Sequence, residues 1–115
     1  MSFDSMNAIL TRPPVPLIPS ETEAAMETIK KQVLRFQASL DTEHDVGLML
    51  TNFGASTVME IQNVSFTEPC IIVFKGLVNG CPSTLVQHVS QLNFLLTAIP
   101  KPVEKPKNQI GFTVN

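Results

Sequence analysis

The residues best suited to chemistry crowd into the stretch QHVSQLN, residues 87–93. Gln87, His88, Gln91 and Asn93 stand close together there, and His88 is one of only two histidines in the chain. An imidazole titrates near neutrality and offers both a donor and an acceptor. With carboxamides on either side it suits a general base or a ligand contact. It suits equally a structural role, as a buried neutral ring between Val86 and Val89 whose N–H finds a backbone carbonyl. Nucleophilic catalysis needs a Ser or Cys beside a base and a third group that orients the base. Ser90 lies two residues after His88 and is expected to point elsewhere on a helix. Cys70 could meet a histidine only through a tertiary contact. No nucleophile elbow, phosphate loop or dinucleotide fingerprint occurs. The expectation is therefore a protein without catalytic residues and without a cofactor.

Two further groups of residues invite a chemical reading. His44 stands between Glu43 and Asp45, which looks like a metal set. Consecutive side chains diverge, and the other histidine is far away, so no metal site is expected and EHD reads as a solvated helix-end loop. Glu60 and Glu68 read as surface carboxylates rather than a catalytic pair. Lys101, Lys105 and Lys107 punctuate a proline-rich stretch. They either close over an anion such as a nucleotide phosphate or form a solvated connector. The candidate ligand set is Gln87, His88, Gln91, Asn93, Lys105 and Lys107.

The elements that must position these residues follow from pattern. Pro13, Pro14, Pro16 and Pro19 forbid helix in residues 1–19, which read as an extended arm. Its apolar Ile9, Leu10, Val15, Leu17 and Ile18 suggest that it lies on its own domain or on a neighbouring subunit. The remainder, 20–115, is a single domain. SETE, from Ser20, is a capping box, and Met26, Ile29, Val33, Phe36 and Leu40 form one stripe at helical spacing. These predict a helix over 21–40 lying on a sheet. Strands are predicted at 46–53, 57–66 and 70–77, with a turn at Gly54–Ser56. Asn79-Gly80 predicts a tight hairpin and so demands a return strand. Leu85, Val89, Leu92 and Leu96, spaced 4, 3, 4, instead suggest a helix. The reading is a short strand over 83–87 passing into a second helix over 88–98, ended by Pro100 and Pro102. A last strand is expected at 110–114. The fold class is α+β: an extended arm and helix, an antiparallel meander of about four strands, a second helix and a closing strand. Ile71, Ile72, Val73, Phe74, Leu92 and Leu96 form the expected core.

Four segments, DTEHDVGLMLTNFG, EIQNVSFTEPCIIVFKGL, LVQHVSQLNFLLTAIPK and IGF, resemble a family of small uncharacterised bacterial and prophage proteins, a domain of unknown function. The most distinctive piece is LVQHVSQLNFLL, 85–96. The resemblance spans about 41–112 and leaves the arm and the first helix outside. It implies a shared fold and a bacterial or phage origin, and it transfers no catalytic residue.

Composition narrows the partners. The net charge of -2 lacks the basic excess of a phosphate-tracking protein, and the seven Phe are not interleaved with Arg or Lys, which argues against nucleic acid. No apolar run is long enough to span a membrane, and the N-terminus lacks a signal-peptide pattern, so a cytoplasmic protein with reduced Cys70 and Cys81 is expected. Taken together, these features point to a small non-enzymatic binding protein, phage- or prophage-encoded. It would sequester a small signalling nucleotide of host defence, or mask a host protein surface. Only 16% of residues are charged, so apolar surface is expected to be hidden in a homo-oligomer. Light scattering at micromolar concentration should give a mass of at least twice the 12.6 kDa chain, and a clean monomer would count against self-association.

Overall fold

A computed structural model describes residues 20–50, 57–102 and 104–114. The arm, the turn at Gly54–Ser56 and the end of the first expected strand lie outside the described residues. The single α-helix among the described residues, α1 (Glu21–Ser39), starts where the capping box places it: the Ser20 Oγ accepts the Glu23 N–H at 3.0 Å. Met26, Ile29 and Val33 are buried, and Phe36 and Leu40 pack at the margin of the same core. The stripe lies against β1 (His44–Leu50), β2 (Thr57–Thr67) and β3 (Ile71–Val78), as expected for a helix on a sheet.

The remaining strands are β4 (Cys81–His88), β5 (Phe94–Pro100) and β6 (Gly111–Val114). Five strands run antiparallel in the order β4-β3-β2-β1-β5, and β6 pairs with β2 in parallel. The β3–β4 turn is the predicted one, with φ of 52° at Asn79 and 79° at Gly80, the left-handed pair that a two-residue hairpin requires.

The second helix expected over 88–98 is not formed. β4 runs to His88, a short 3-10 turn spans Val89–Gln91, and β5 follows. The helical spacing has a different cause. Leu85 and Gln87 are half-buried positions of β4, and Val89 just beyond it keeps their phase; Phe94 and Leu96 are half-buried positions of β5, and Leu92 just before it keeps theirs. The turn shifts the phase between them by one residue. Two strands of opposite phase therefore imitate the 4, 3, 4 spacing of a helix. Leu95, between Phe94 and Leu96, faces outward and is 57% exposed. The expected core is corrected for the same reason. Ile72 and Phe74 are fully buried, Leu92 and Leu96 border them, but Ile71 and Val73 fall on the opposite face of β3.

β4 and β5 are the outermost strands of the five-strand order, yet only residues 89–93 connect them. Four strand spacings on a flat sheet amount to about 19 Å. A fully extended link would only just reach across about 20 Å, and this one is partly coiled into a 3-10 turn. The sheet must therefore curl. The curl brings the Phe74 ring of β3 to 5.2 Å from the Phe94 ring of β5, edge to face at 70°. The concave side holds α1 and the core.

Each outer strand carries one proline, and the ladder explains its place. Lys101 N–H bonds to Glu43 O, and Val89 N–H bonds to Cys70 O. Alternation along β4 and β5 then turns Pro82 and Pro100 toward the open edge, where no N–H is required.

β2 contains a bulge: its register with β3 slips between Ile61 and Asn63. Met59 and Ile61 face the core before it, Val64 and Phe66 after it. Simple alternation from Met59 and Ile61 would carry Asn63 inward; the bulge prevents this. Gly76, opposite Ile61, is the residue that lets the bulged backbone approach. A Cβ there would stand 2.0 Å from the Glu60 carbonyl oxygen. Gly76→Ala should therefore cost about 2–3 kcal/mol in urea unfolding, because backbone rather than a side-chain tip must give way.

Candidate functional site

The free side of β2 is shared between two strands. β1 pairs with its first half, from Thr57 to Glu60, and β6 with its second, from Asn63 to Phe66. The gap between β1 and β6 is filled by the connection from β5 to β6. Asn108 sits there as a fastener. Its side-chain N–H donates to the Ile61 carbonyl, and its backbone N–H donates to Asp45 Oδ1 at 3.1 Å. Its own carbonyl accepts the Gln37 side-chain N–H of α1 at 2.9 Å. One residue thus ties the helix, β1 and β2 together at the bulge.

The same connection overhangs the convex face and makes a cleft of about 290 Å³. Asp45, Glu60 and Ile99 come from β1, β2 and β5; Lys101, Lys105, Lys107 and Asn108 come from the connection. Gly47 lies beside it, and the space for its missing Cβ is closed by Ile99, Val58 and Thr97. The lysines are partly engaged. Lys101 Nζ donates to the Pro102 and Lys105 carbonyls, and Lys107 Nζ donates to the Asp41 carbonyl at 2.8 Å. Three lysine and two carboxylate side chains thus line one cleft. Glu60, expected as a surface carboxylate, is half-buried in it.

The candidate ligand set does not converge. Lys105 and Lys107 line the cleft. Gln87, His88, Gln91 and Asn93 belong to the β4–β5 connection and its approach. Phe94, just after Asn93, pairs with Leu50, whereas Pro100, just before Lys101, pairs with His44. The two groups are thus at opposite ends of β5, about 20 Å apart.

His88 is exposed rather than buried, and it caps the 3-10 turn. Its Nδ1 accepts the Ser90 N–H at 3.1 Å and lies 2.8 Å from Ser90 Oγ. Ser90 therefore does reach His88, contrary to the helical expectation. Because Nδ1 accepts a backbone N–H, the ring proton resides on Nε2. The contact is that of a local cap, and neither residue lines the cleft. Gln91 and Asn93 are exposed, while Gln87 turns inward and its Oε1 is buried with no hydrogen-bond partner among the described residues.

His44 is the first residue of β1 rather than part of a loop, and the EHD residues diverge. The His44 Nδ1 lies 2.7 Å from Asp41 Oδ1, the Glu43 N–H donates to the same carboxylate, and Asp45 is buried against Asn108. Cys70 and Cys81 are both free thiols. Among the described residues, no helix is long and apolar enough to cross a membrane.

These features define an α+β protein whose curled, predominantly antiparallel sheet carries a mixed-charge cleft on its convex side. The chain belongs to a family of unknown function, DUF6173, whose model matches residues 18–113. The match extends the resemblance seen in the sequence to include α1. No curated protein and no solved structure matches the chain.

The wall of the cleft has a titratable support. The hydrogen bond from the His44 ring, and then that from the Glu43 N–H, hold the Asp41 carboxyl below its ordinary value of 3.8. A depressed carboxylate stabilises the fold above its unfolded value and loses that contribution as pH falls through the folded one. The Asp41 carboxyl resonance should therefore titrate below pH 3.8, and His44→Ala should raise its midpoint; an unmoved midpoint would show that the ring does not hold the carboxylate.

Proposed function

We propose that the protein acts by stoichiometric binding, without turnover, and that the cleft over β1, β2 and β5 takes a small phosphorylated ligand. The observation that carries this reading is the convergence of Lys101, Lys105 and Lys107 on a cleft of about 290 Å³, close to the lower end of small-molecule sites. Charge-assisted contacts from ammonium groups suit phosphate oxygens. In the bacterial and phage setting implied by the sequence resemblance, the ligand is a signalling nucleotide of host defence, held away from its receptor. Gln87, His88, Gln91 and Asn93 join such a site only if a second copy brings them to the cleft, which fits the expected homo-oligomer.

A second reading, masking of a host protein surface, is supported by Val86 and Leu95, which are 61% and 57% exposed. Protein purified from its native host and denatured by heat should release an intact nucleotide. The Lys105→Glu, Lys107→Glu double variant should bind that nucleotide at least tenfold more weakly in calorimetry while keeping its circular dichroism. Release of a chemically altered product, with turnover by wild type, would sink the reading. A host protein retained at one-to-one ratio with no nucleotide would favour the second reading.

A further inference from the structure

The cleft over β1, β2 and β5 separates its two kinds of charged group. The strands supply acceptors, the Asp45 and Glu60 carboxylates, and the overhanging connection supplies donors, the ammonium groups of Lys101, Lys105 and Lys107. An ionised carboxylate only accepts hydrogen bonds, and an ammonium only donates them. Yet the two sets do not satisfy each other. Among the described residues, no ion pair joins either carboxylate to any of the three lysines. Lys101 and Lys107 turn to backbone carbonyls, and Asp45 takes the Asn108 N–H. The side chains of Glu60 and Lys105 have no hydrogen bond among the described residues. A half-buried carboxylate without a partner carries a desolvation cost that a bound donor would offset.

We infer that the ligand of this cleft is a guanine nucleotide, with its base on Glu60 and its phosphate on Lys105. The inference rests on the reading of the cleft as a site for a phosphorylated ligand, and it names the other half of that ligand. A carboxylate can accept two parallel N–H bonds. Among the common bases, guanine alone sets two donors side by side, its N1–H and its 2-amino group. Adenine and cytosine place a ring acceptor next to their amino group, and an ionised carboxylate repels it. The N3–H of uracil lies between two carbonyls, which are repelled in the same way. Selectivity therefore comes from repulsion of the wrong edges as much as from attraction of the right one.

Two further features agree. Asp45 is 5% exposed and lies on the Glu60 side of the cleft, where its negative charge disfavours a phosphate. The ligand's direction is thereby fixed, base toward the strands and phosphate toward the connection. Ile99 pairs with Asp45 in the β1–β5 register, and with Pro100, Pro102 and Pro106 it gives the cleft apolar walls for the flat faces of a purine.

The test is a chemical-shift titration of the full chain with guanosine, inosine and adenosine monophosphates, in the presence of a chelator. Inosine monophosphate lacks only the 2-amino group. The guanine nucleotide should bind at least about tenfold more tightly than the inosine nucleotide, the worth of one lost partner in a bidentate pair. Glu60→Gln should remove that preference and keep the circular dichroism of wild type. Equal binding of all three nucleotides, abolished by Lys105→Glu with Lys107→Glu, would overturn the guanine assignment and leave the phosphate reading standing. Guanosine binding as tightly as its monophosphate, and more tightly than inosine, would keep the base contact and sink the phosphate reading instead. Binding that appears only when magnesium replaces the chelator would place the carboxylates on a cation and overturn the inference. Failure of every probe to shift the cleft resonances would overturn both.

Discussion

The geometry of the molecule turns on the short link between its two outermost strands. Residues 89–93 must carry the chain from β4 to β5, across the width of the five-strand order. A flat sheet would put that crossing at the limit of an extended chain, and the 3-10 turn shortens the reach further. Curling the sheet resolves the conflict. The curl makes a concave side deep enough for one helix to fill. With a second helix unnecessary, the core closes on Met26, Ile29 and Val33 from α1 and on Ile72, Phe74 and Met59 from the sheet.

The curl has a second effect at the β2 bulge. β2 cannot follow one neighbour along its whole length, so its free side is divided between β1 and β6. A divided sheet would leave buried backbone groups unpaired at the seam. Asn108 covers this need with three hydrogen bonds, two given and one received. The connection that delivers Asn108 to the seam also brings its lysines over the convex face. The cleft is thus a by-product of mending the sheet, which explains why its carboxylates and its ammonium groups come from distant parts of the chain.

Local signals were legible where one element carried them alone. The SETE box and the apolar stripe fix α1 at both ends, and Asn79-Gly80 fixes its hairpin. The stretch from Thr84 to Ala98 misled because a phase shift between two strands imitates helical spacing. Nothing local marks the bulge at Gln62 or the parallel pairing of β6, since both arise from competition for the side of β2. The site was legible to the same degree. Lys101, Lys105 and Lys107 stood out together as a possible anion grip. Asp45 and Glu60 did not, because only the β1–β2 register brings them beside those lysines. Asn108 gave no signal, because a fastener has no motif.

The divided side of β2 also bears on the order in which the molecule assembles. β2, β3 and β4 are joined by tight turns, so their pairings close only short loops. Pairing β1 with β5 brings residues 44–50 to residues 94–100, and pairing β2 with β6 reaches to Gly111. Contacts between distant positions pay their closure entropy before any return and form late. During synthesis the central hairpins can pair while the chain is still growing, before β6 has left the ribosome. The cleft depends on those late pairings, because the connection between β5 and β6 lines it. The cleft over the convex face is therefore completed only after the central hairpins have paired.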